Sequence, residues 1–427
     1  MKVAILTMFN GLSTTYSLVN VVAEHLHMLL DNNIAVKMIV TENCSDNEKW
    51  GIFLDERIEW VKIKNTLNGK QIELFDYSTP DKKLHHTFYE EADMFAAEFI
   101  DVLQDVDVCM MHDILYQGWH YVHNIAIRKA QPNLPKVKFI AFAHSFPANR
   151  PIVVPEKMSG RYTGMDNTVF VYPSQSGISA LAKQYHIPEG KCRVIYNTVP
   201  IIEYLSKDVK TLHDNVDLLS SEVLIVYAGR FSTGKKFEKV AALAGSFKRM
   251  NEKTVKVIFC DFPCMDTPQQ EYKDAIRYVG EFYGLDANDI VFTSENGYPN
   301  GFPREAVLDL FTLSNLYICP SFSETFGLTV VEAASRGNFI VVNKCVPALE
   351  EIGKILGAYF MEWDARNYGF DTKQSYHPSE KSYYDEKSVE IGRLMRENNA
   401  IMAKTMSRMR FGISWVWENQ LKPLIEQ

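Results

Sequence analysis

At 427 residues the chain is well beyond the usual size of one domain, so two domains with separate cores are expected. Its 46% hydrophobic and 23% charged residues exclude a disordered polymer, and a net charge of −8 offers no general attraction to phosphate-rich nucleic acid. Seven cysteines at irregular spacing read as reduced thiols and not as a disulfide framework, which implies a reducing compartment and a cytoplasmic location.

The opening run from Met1 to Phe9 is too short for a secretory signal and lacks a small-residue cleavage site, so a first strand is expected there. Nowhere does an uncharged apolar run approach the roughly 20 residues needed to cross a bilayer. Any membrane contact is expected to be peripheral. Further strands are expected at Ala35 to Val40, Val106 to Met111, Val137 to Ala143 and Val169 to Tyr172, with helix-period segments between several of them. The segment from Ser13 to Leu30 opens on the capping residues Ser13-Thr14-Thr15 and is expected to be helical. Residues 42–83 lose periodicity and read as an insertion. The polar stretch 206–221 reads as an interdomain connection.

A second core begins at Val223, with strands expected at Val223 to Ala228, Val255 to Phe259, Ile290 to Thr293, Leu316 to Cys319 and Phe339 to Asn343. Strands alternating with helices predict α/β architecture with parallel sheets. Residues 364–384 read as a surface loop, and Ser388 to Met409 as a helix carrying Arg393, Arg396, Lys404 and Arg408, with Arg410 just beyond. A solvated face is the plain reading of those cations, and an anionic membrane or polymer surface the other. The expected boundaries are 1–205, 206–410 and a closing segment 411–427.

The most informative stretch is Pro320-Ser321-Phe322-Ser323-Glu324-Thr325-Phe326-Gly327-Leu328-Thr329-Val330-Val331-Glu332, which follows a strand and opens a helix. A helix start offers unpaired N–H groups and the positive end of a dipole, which suits an anionic ligand such as a sugar diphosphate. Alone, a strand, loop and helix with two acids is more often structural. Upstream, Ala228-Gly229-Arg230-Phe231-Ser232-Thr233-Gly234-Lys235-Lys236 ends another strand in a turn with three cations, where Arg230 and Lys235 can converge on phosphate through charge-assisted bonds.

Together these stretches resemble the Glu-x₇-Glu signature and the preceding Gly-Arg…Lys turn of the family-four retaining glycosyltransferases, and the resemblance runs along most of the chain. It implies the GT-B fold, two Rossmann-like domains facing across a cleft, with the closing Phe411 to Gln420 helix crossing back to the first. It further implies a nucleotide diphosphate sugar as donor, UDP-linked in expectation, held by Gly229, Arg230, Lys235 or Lys236, Glu324, the Thr325, Phe326, Gly327 and Leu328 backbone, and Glu332. His144, after the Val137 to Ala143 strand, would face the donor sugar, and Gly11 would lie in the loop after the first strand, near acceptor and phosphates. His144, Arg230, Lys235 and Glu324 are the catalytic candidates.

The resemblance implies front-face attack with retention, no protein nucleophile, no cofactor and no metal. Asp105-Val106-Asp107 has a metal-binding spacing but lies far in sequence from the phosphate residues. His112-Asp113 reads equally as a cleft lining or a helix cap. Lys344-Cys345-Val346-Pro347-Ala348-Leu349-Glu350 replaces the family's Gly-Gly-x-x-Glu loop, so donor identity is not implied. The acceptor stays open among glycan, lipid-linked glycan, protein, small molecule and modified phage DNA bases, the last disfavoured by the charge. Rival readings are an epimerase or phosphorylase of the same fold and a non-catalytic binding module.

Overall fold

The computed structural model describes residues 1–67, 70–71, 87–116, 120–147, 160, 162–265, 267–363 and 378–427. It divides into two compact units, Met1–Val199 with Ile413–Gln427, and Pro200–Gly412. Expectations for 68–69, 72–86 and 364–377 lie outside the described residues.

In the first unit the elements run β1 (Lys2–Leu6), α1 (Ser17–Leu30), β2 (Ala35–Thr41), β3 (Ile58–Ile63), the short hairpin β4 (Thr66–Leu67) and β5 (Lys70–Gln71), α2 (Phe88–Leu103) and β6 (Val108–His112). They continue with α3 (Tyr121–Ala130), β7 (Lys138–Phe142), β8 (Thr168–Tyr172), α4 (Ile178–Tyr185) and β9 (Cys192–Val194). Seven parallel strands lie in the order β3-β2-β1-β6-β7-β8-β9. Both faces of the central strands are covered, and β1 and β6 accordingly read as continuous apolar runs with almost no exposure. Part of the supposed insertion is therefore sheet: β3 is the edge strand, and its alternation of exposed and covered side chains weakened its apolar signal. The helix begins at Ser17, later than expected, because Ser13 accepts from the Thr15 amide in a local turn and Tyr16 is the cap residue without a capping side chain.

The second unit runs α5 (Lys207–Val216), β10 (Val223–Arg230), α6 (Phe237–Asn251), β11 (Val255–Phe262), α7 (Gln269–Tyr283), β12 (Ile290–Phe292), α8 (Arg304–Leu313) and β13 (Leu316–Cys319). It closes with α9 (Leu328–Ser335), β14 (Phe339–Asn343), α10 (Pro347–Leu356), β15 (Tyr359–Met361), α11 (Pro378–Glu397) and α12 (Asn399–Phe411). The six parallel strands are ordered β12-β11-β10-β13-β14-β15. The polar stretch before Val223, expected as a connection, is largely the helix α5, whose Val209 and Leu212 enter the core.

The basic helix is two helices, separated at Asn398, whose side chain accepts from the Ala400 and Ile401 amides and starts α12. Its cations are not all solvated. Lys404 donates to the Phe311 and Arg336 carbonyls, and the buried Arg408 to those of Leu218, Ser221 and Glu222. Burial, with the adjacent Arg408 charge, pushes Lys404 down to about 8. The expected cationic face thus loses two members to the interior. Arg408→Ala is expected to cost roughly 3 kcal/mol, because three carbonyls lose their charged donor, whereas Arg393→Ala, an exposed partner of Glu397, should stay within about 0.5 kcal/mol. Urea melts of both variants provide the comparison.

After α12 the chain returns to the first unit as α13 (Ile413–Val416) and α14 (Lys422–Glu426), joined by one wide turn at Trp417–Leu421. Trp417, Leu421 and Leu424 are buried in the core that also holds α1, Gln420 Oε1 accepts from the Tyr196 amide at 2.8 Å, and Lys138 donates to the Leu424 carbonyl.

Candidate functional site

In each sheet the strand order reverses direction at the first strand of the unit, so the loops leaving two neighbouring strands diverge there and open a crevice at their carboxyl ends. In the second unit those strands are β10 and β13. The first carries Gly229-Arg230 and the second leads into Pro320-Ser321-Phe322-Ser323-Glu324. Two stretches roughly ninety residues apart are thereby set side by side by topology.

Beyond β10 the chain makes a short turn over Thr233–Lys235 and enters α6 after Lys236, whose φ is +57°. Gly234 joins the two loops: its carbonyl accepts from the Phe322 amide at 3.2 Å, and a Cβ there would lie 2.3 Å from Phe322 Cε1. The Lys235 carbonyl is fixed by the buried Tyr227 hydroxyl at 2.8 Å, and its ammonium meets Glu324 Oε1 at 2.5 Å. Lys236 is buried, its Nζ 6.0 Å from the Phe322 ring centre. Arg230 stands exposed at the end of β10, with no side-chain hydrogen bond among the described residues.

Gly327 caps α9 with φ +86°, a conformation that would strain any side chain there. In its first turn the Val330 amide donates to the Gly327 carbonyl at 3.0 Å, and the Leu328 and Thr329 amides have no helical acceptor, with Thr325 and Phe326 beside them. Farther along α9, Glu332 pairs with Arg304, which is itself largely exposed. The structure thus joins Lys235 to Glu324 and Glu332 to Arg304, while Arg230 and the α9 amides remain as unspent positive groups. The arrangement gathers cationic side chains and helix-start amides beside two carboxylates that are each paired with a cation.

The first unit has its own reversal between β1 and β6. Gly11, in the loop after β1, lies under Glu48: an added Cβ would come 2.4 Å from Glu48 Oε2, the atom that accepts from the Leu12 amide at 3.0 Å. His144 follows β7 and its Nε2 lies 2.9 Å from His112 Nδ1, while the Asp113 carboxylate accepts the His144 amide at 2.9 Å. Asp113 is therefore a cap for the β7 exit and not for a helix. Its φ of +60° aims it there.

His112 stacks on Phe142 and is adjacent to His25. Burial holds all three imidazoles neutral: His25 falls to about 3, His112 well below its ordinary value, and His144 is also lowered, though Asp113 opposes the shift. His112 Nε2 is buried and has no hydrogen-bond partner among the described residues. A bare lone pair is tolerated there better than an orphaned N–H, so the network assigns the donated proton to His112 Nδ1. His144 then carries its own proton on Nδ1. Asp105 pairs with Lys2 and Lys37, and Asp107 accepts the Lys2 amide at 2.7 Å.

Sequence reasoning missed Arg304 and Glu48. Arg304 had a weak signal, a cation after Pro303 at a helix start. Glu48 had none, since its contact with Leu12 spans 36 residues through a turn of no regular period.

Residues 208–355 match the family model described as glycosyl transferases group 1. Curated proteins give no significant match. Among solved structures, a glycosyltransferase from Rickettsia africae aligns over 100% of this chain and 97% of its own at 14% identity and a TM-score of 0.35. Anabaena HepE with UDP and glucose aligns over 100% of both chains at 13% identity and 0.36, and an E. coli trehalose-6-phosphate protein bound to UDP-2-fluoro glucose over 100% and 99% at 11% and 0.36. No helix among the described residues is long and apolar enough to cross a membrane. The two parallel-sheet units, with the final helices returned to the first, are the components of the GT-B plan, and residues 208–355 are similar to the group 1 glycosyl transferases.

Proposed function

We propose that the chain transfers a sugar from a nucleotide diphosphate donor to a hydroxyl acceptor with retention of anomeric configuration and without a metal. The observation that carries this reading is the meeting of Lys235 and Glu324 beside the open N-terminus of α9, with the unpaired Arg230 on the adjoining strand end. Departure of the diphosphate builds negative charge on its oxygens and positive charge on the anomeric carbon. Lys235, Arg230 and the α9 amides stabilise the first, and Glu324 lies where it can accept from sugar hydroxyls. Glu332, freed from Arg304, would accept from the nucleoside's hydroxyls.

The described residues of this site offer no carboxylate free of a cationic partner to act as nucleophile, which favours attack from the face the leaving group vacates. The departing phosphate oxygen then takes the acceptor proton. His144, neutral and protonated on Nδ1, serves in this reading as a hydrogen-bond donor to the sugar and not as a base.

A nucleotide-sugar panel read by thermal shift identifies the donor, UDP-sugars first, since a saturating specific ligand adds a few kcal/mol of stability. The product formed in excess chelator is expected to show the donor's anomeric coupling by NMR. An inverted product, or transfer abolished by chelator and restored by a divalent ion, contradicts the reading.

A further inference from the structure

At the carboxyl end of the first sheet three rings lie nearly parallel. His112 ends β6 in register with Phe142 of β7, and His144 follows two residues on, its ring 6° from the Phe142 plane. The His112 ring lies 12° from the Phe142 plane with centres 4.7 Å apart, and 12° from the His144 plane with centres 5.2 Å apart. The second separation is the 2.9 Å between His112 Nδ1 and His144 Nε2 lengthened by one ring radius at each end, so the contact lies along the line of centres, in the plane of both imidazoles. That is the geometry of a straight hydrogen bond, and it holds a single proton.

Which ring supplies that proton is decided on the far side of His112. Its neighbours besides His144 are the Phe142 ring and, with centres 5.2 Å apart, the His25 ring, and its Nε2 has no partner among the described residues. A proton on Nε2 would be a buried donor without an acceptor, which folded chains avoid more strictly than a bare lone pair. Burial keeps both rings neutral. His112 therefore gives its one proton to His144 Nε2, and His144 holds its own at Nδ1, which is neither buried nor bonded among the described residues. By itself His144 has no such fixed assignment, because either nitrogen of a neutral imidazole can carry the proton.

We propose that His112 is a positioning residue: by occupying the acceptor nitrogen of His144 it presents His144 to the ligand as an N–H donor and nothing else. The ligand atom opposite Nδ1 is then an oxygen with a lone pair, of a hydroxyl, ether or carbonyl, and a group with only protons to give finds no acceptor there. That this atom belongs to the donor sugar rests on the glycosyl-transfer reading, whereas the control of His144 by His112 is separable from it. Two substitutions divide the effects. His112→Phe keeps a ring against Phe142 and loses the donor, and His112→Asn gives up the ring but keeps an N–H at the place of Nδ1.

The test is long-range ¹H–¹⁵N NMR at pH 7.5 on the full chain labelled with ¹⁵N-histidine, His144 being assigned by the signal lost in His144→Gln. Wild-type His144 is expected as one tautomer, protonated on Nδ1 and bare on Nε2. In His112→Phe the Nε2-protonated form should appear, and His112→Asn should keep the wild-type pattern. With the nucleotide sugar found by thermal shift, His112→Phe should lose about three- to ten-fold in turnover, the size of one neutral hydrogen bond, and His112→Asn should recover most of it, which a role in ring packing alone does not allow. A wild-type His144 protonated on Nε2 or on both nitrogens, a tautomer unchanged in folded His112→Phe, or wild-type turnover in that variant overturns the proposal. The wild-type spectrum decides it even where neither variant folds. The expected tautomers in a protein that transfers from no nucleotide sugar fault the glycosyl-transfer reading and leave the part of His112 standing.

Discussion

Lys235→Ala is expected to lower kcat/KM by about ten- to a hundred-fold, since hydrogen bonds to charged groups contribute roughly 1.5–3 kcal/mol each. The loss should fall on kcat as well as on donor affinity if, as proposed, the ammonium interacts more strongly with the departing diphosphate than with the bound donor. Arg230→Ala should behave alike, and the double variant should lose less than the product of the singles because both cations serve one ligand. The contact with Glu324 adds a finer expectation. In Lys235→Ala the Glu324 carboxylate is left facing an anion unshielded, so Lys235→Ala/Glu324→Gln should bind UDP more tightly than Lys235→Ala alone. Steady-state kinetics and UDP titrations on the four proteins, with folding checked by melts, decide it. Wild-type rates in a folded Arg230→Ala/Lys235→Ala protein would falsify the donor-site assignment.

Much of this site was legible because its parts are local. The Gly229-Arg230 turn and the Glu324 to Glu332 segment each follow a strong apolar strand, and the anion-binding character of a helix start is written in the order strand, small residues, helix. What joins them is topological, and strand order has no local signature. The sequence therefore could not tell which of Lys235 and Lys236 faces Glu324. The answer depends on the left-handed backbone at Lys236, which turns that side chain under Phe322. Nor could it reveal that Glu332 is held by Arg304, 28 residues earlier on α8.

The fold shows the same division. Central strands such as β1, β6, β10 and β13 are buried on both faces and stand out as unbroken apolar runs, whereas the edge strands β3, β9 and β15 are short or half-exposed and were missed. The basic stretch from Arg393 to Arg410 illustrates a different limit. Charge pattern alone cannot tell a solvated arginine from one whose guanidinium satisfies buried carbonyls, as Arg408 does through a segment almost two hundred residues away.

The first unit is expected to lose most of its stability on mild acidification, well before its carboxylates protonate. His25 and His123 are fully buried, with folded values pushed down to about 3 and about 4, and His112 lies well below its ordinary range, all chiefly through desolvation. Their unfolded value is about 6.5. Because burial depresses the folded value of a base, the unfolded chain binds protons first: stability is complete above pH 6.5 and falls as pH drops toward 4 to 3, where the folded imidazoles protonate too. At pH 5 His25, His123 and the likewise lowered His120 cost about 2 kcal/mol each, so these three remove roughly 6 kcal/mol, a large share of a typical domain's 5–15, and His112 and His144 add to the loss in the same direction. Glu98, raised by burial, opposes this with a single group, while Asp55, held near 2 by Arg57, adds a loss only at lower pH. Urea melts between pH 7.5 and 4.5, with hydrogen exchange followed separately in β1 and β10, should show the first sheet opening while the second keeps its protection. His25→Phe preserves the packing against Phe142 and His112 and removes one of five lowered imidazoles, so the slope of stability against pH should fall by about one fifth to one quarter. A first unit whose stability is flat from pH 7.5 to 5, or an unchanged slope in His25→Phe, would mean that these imidazoles take up protons in place without unfolding, and that the histidine cluster beside His144 is charged in the working protein.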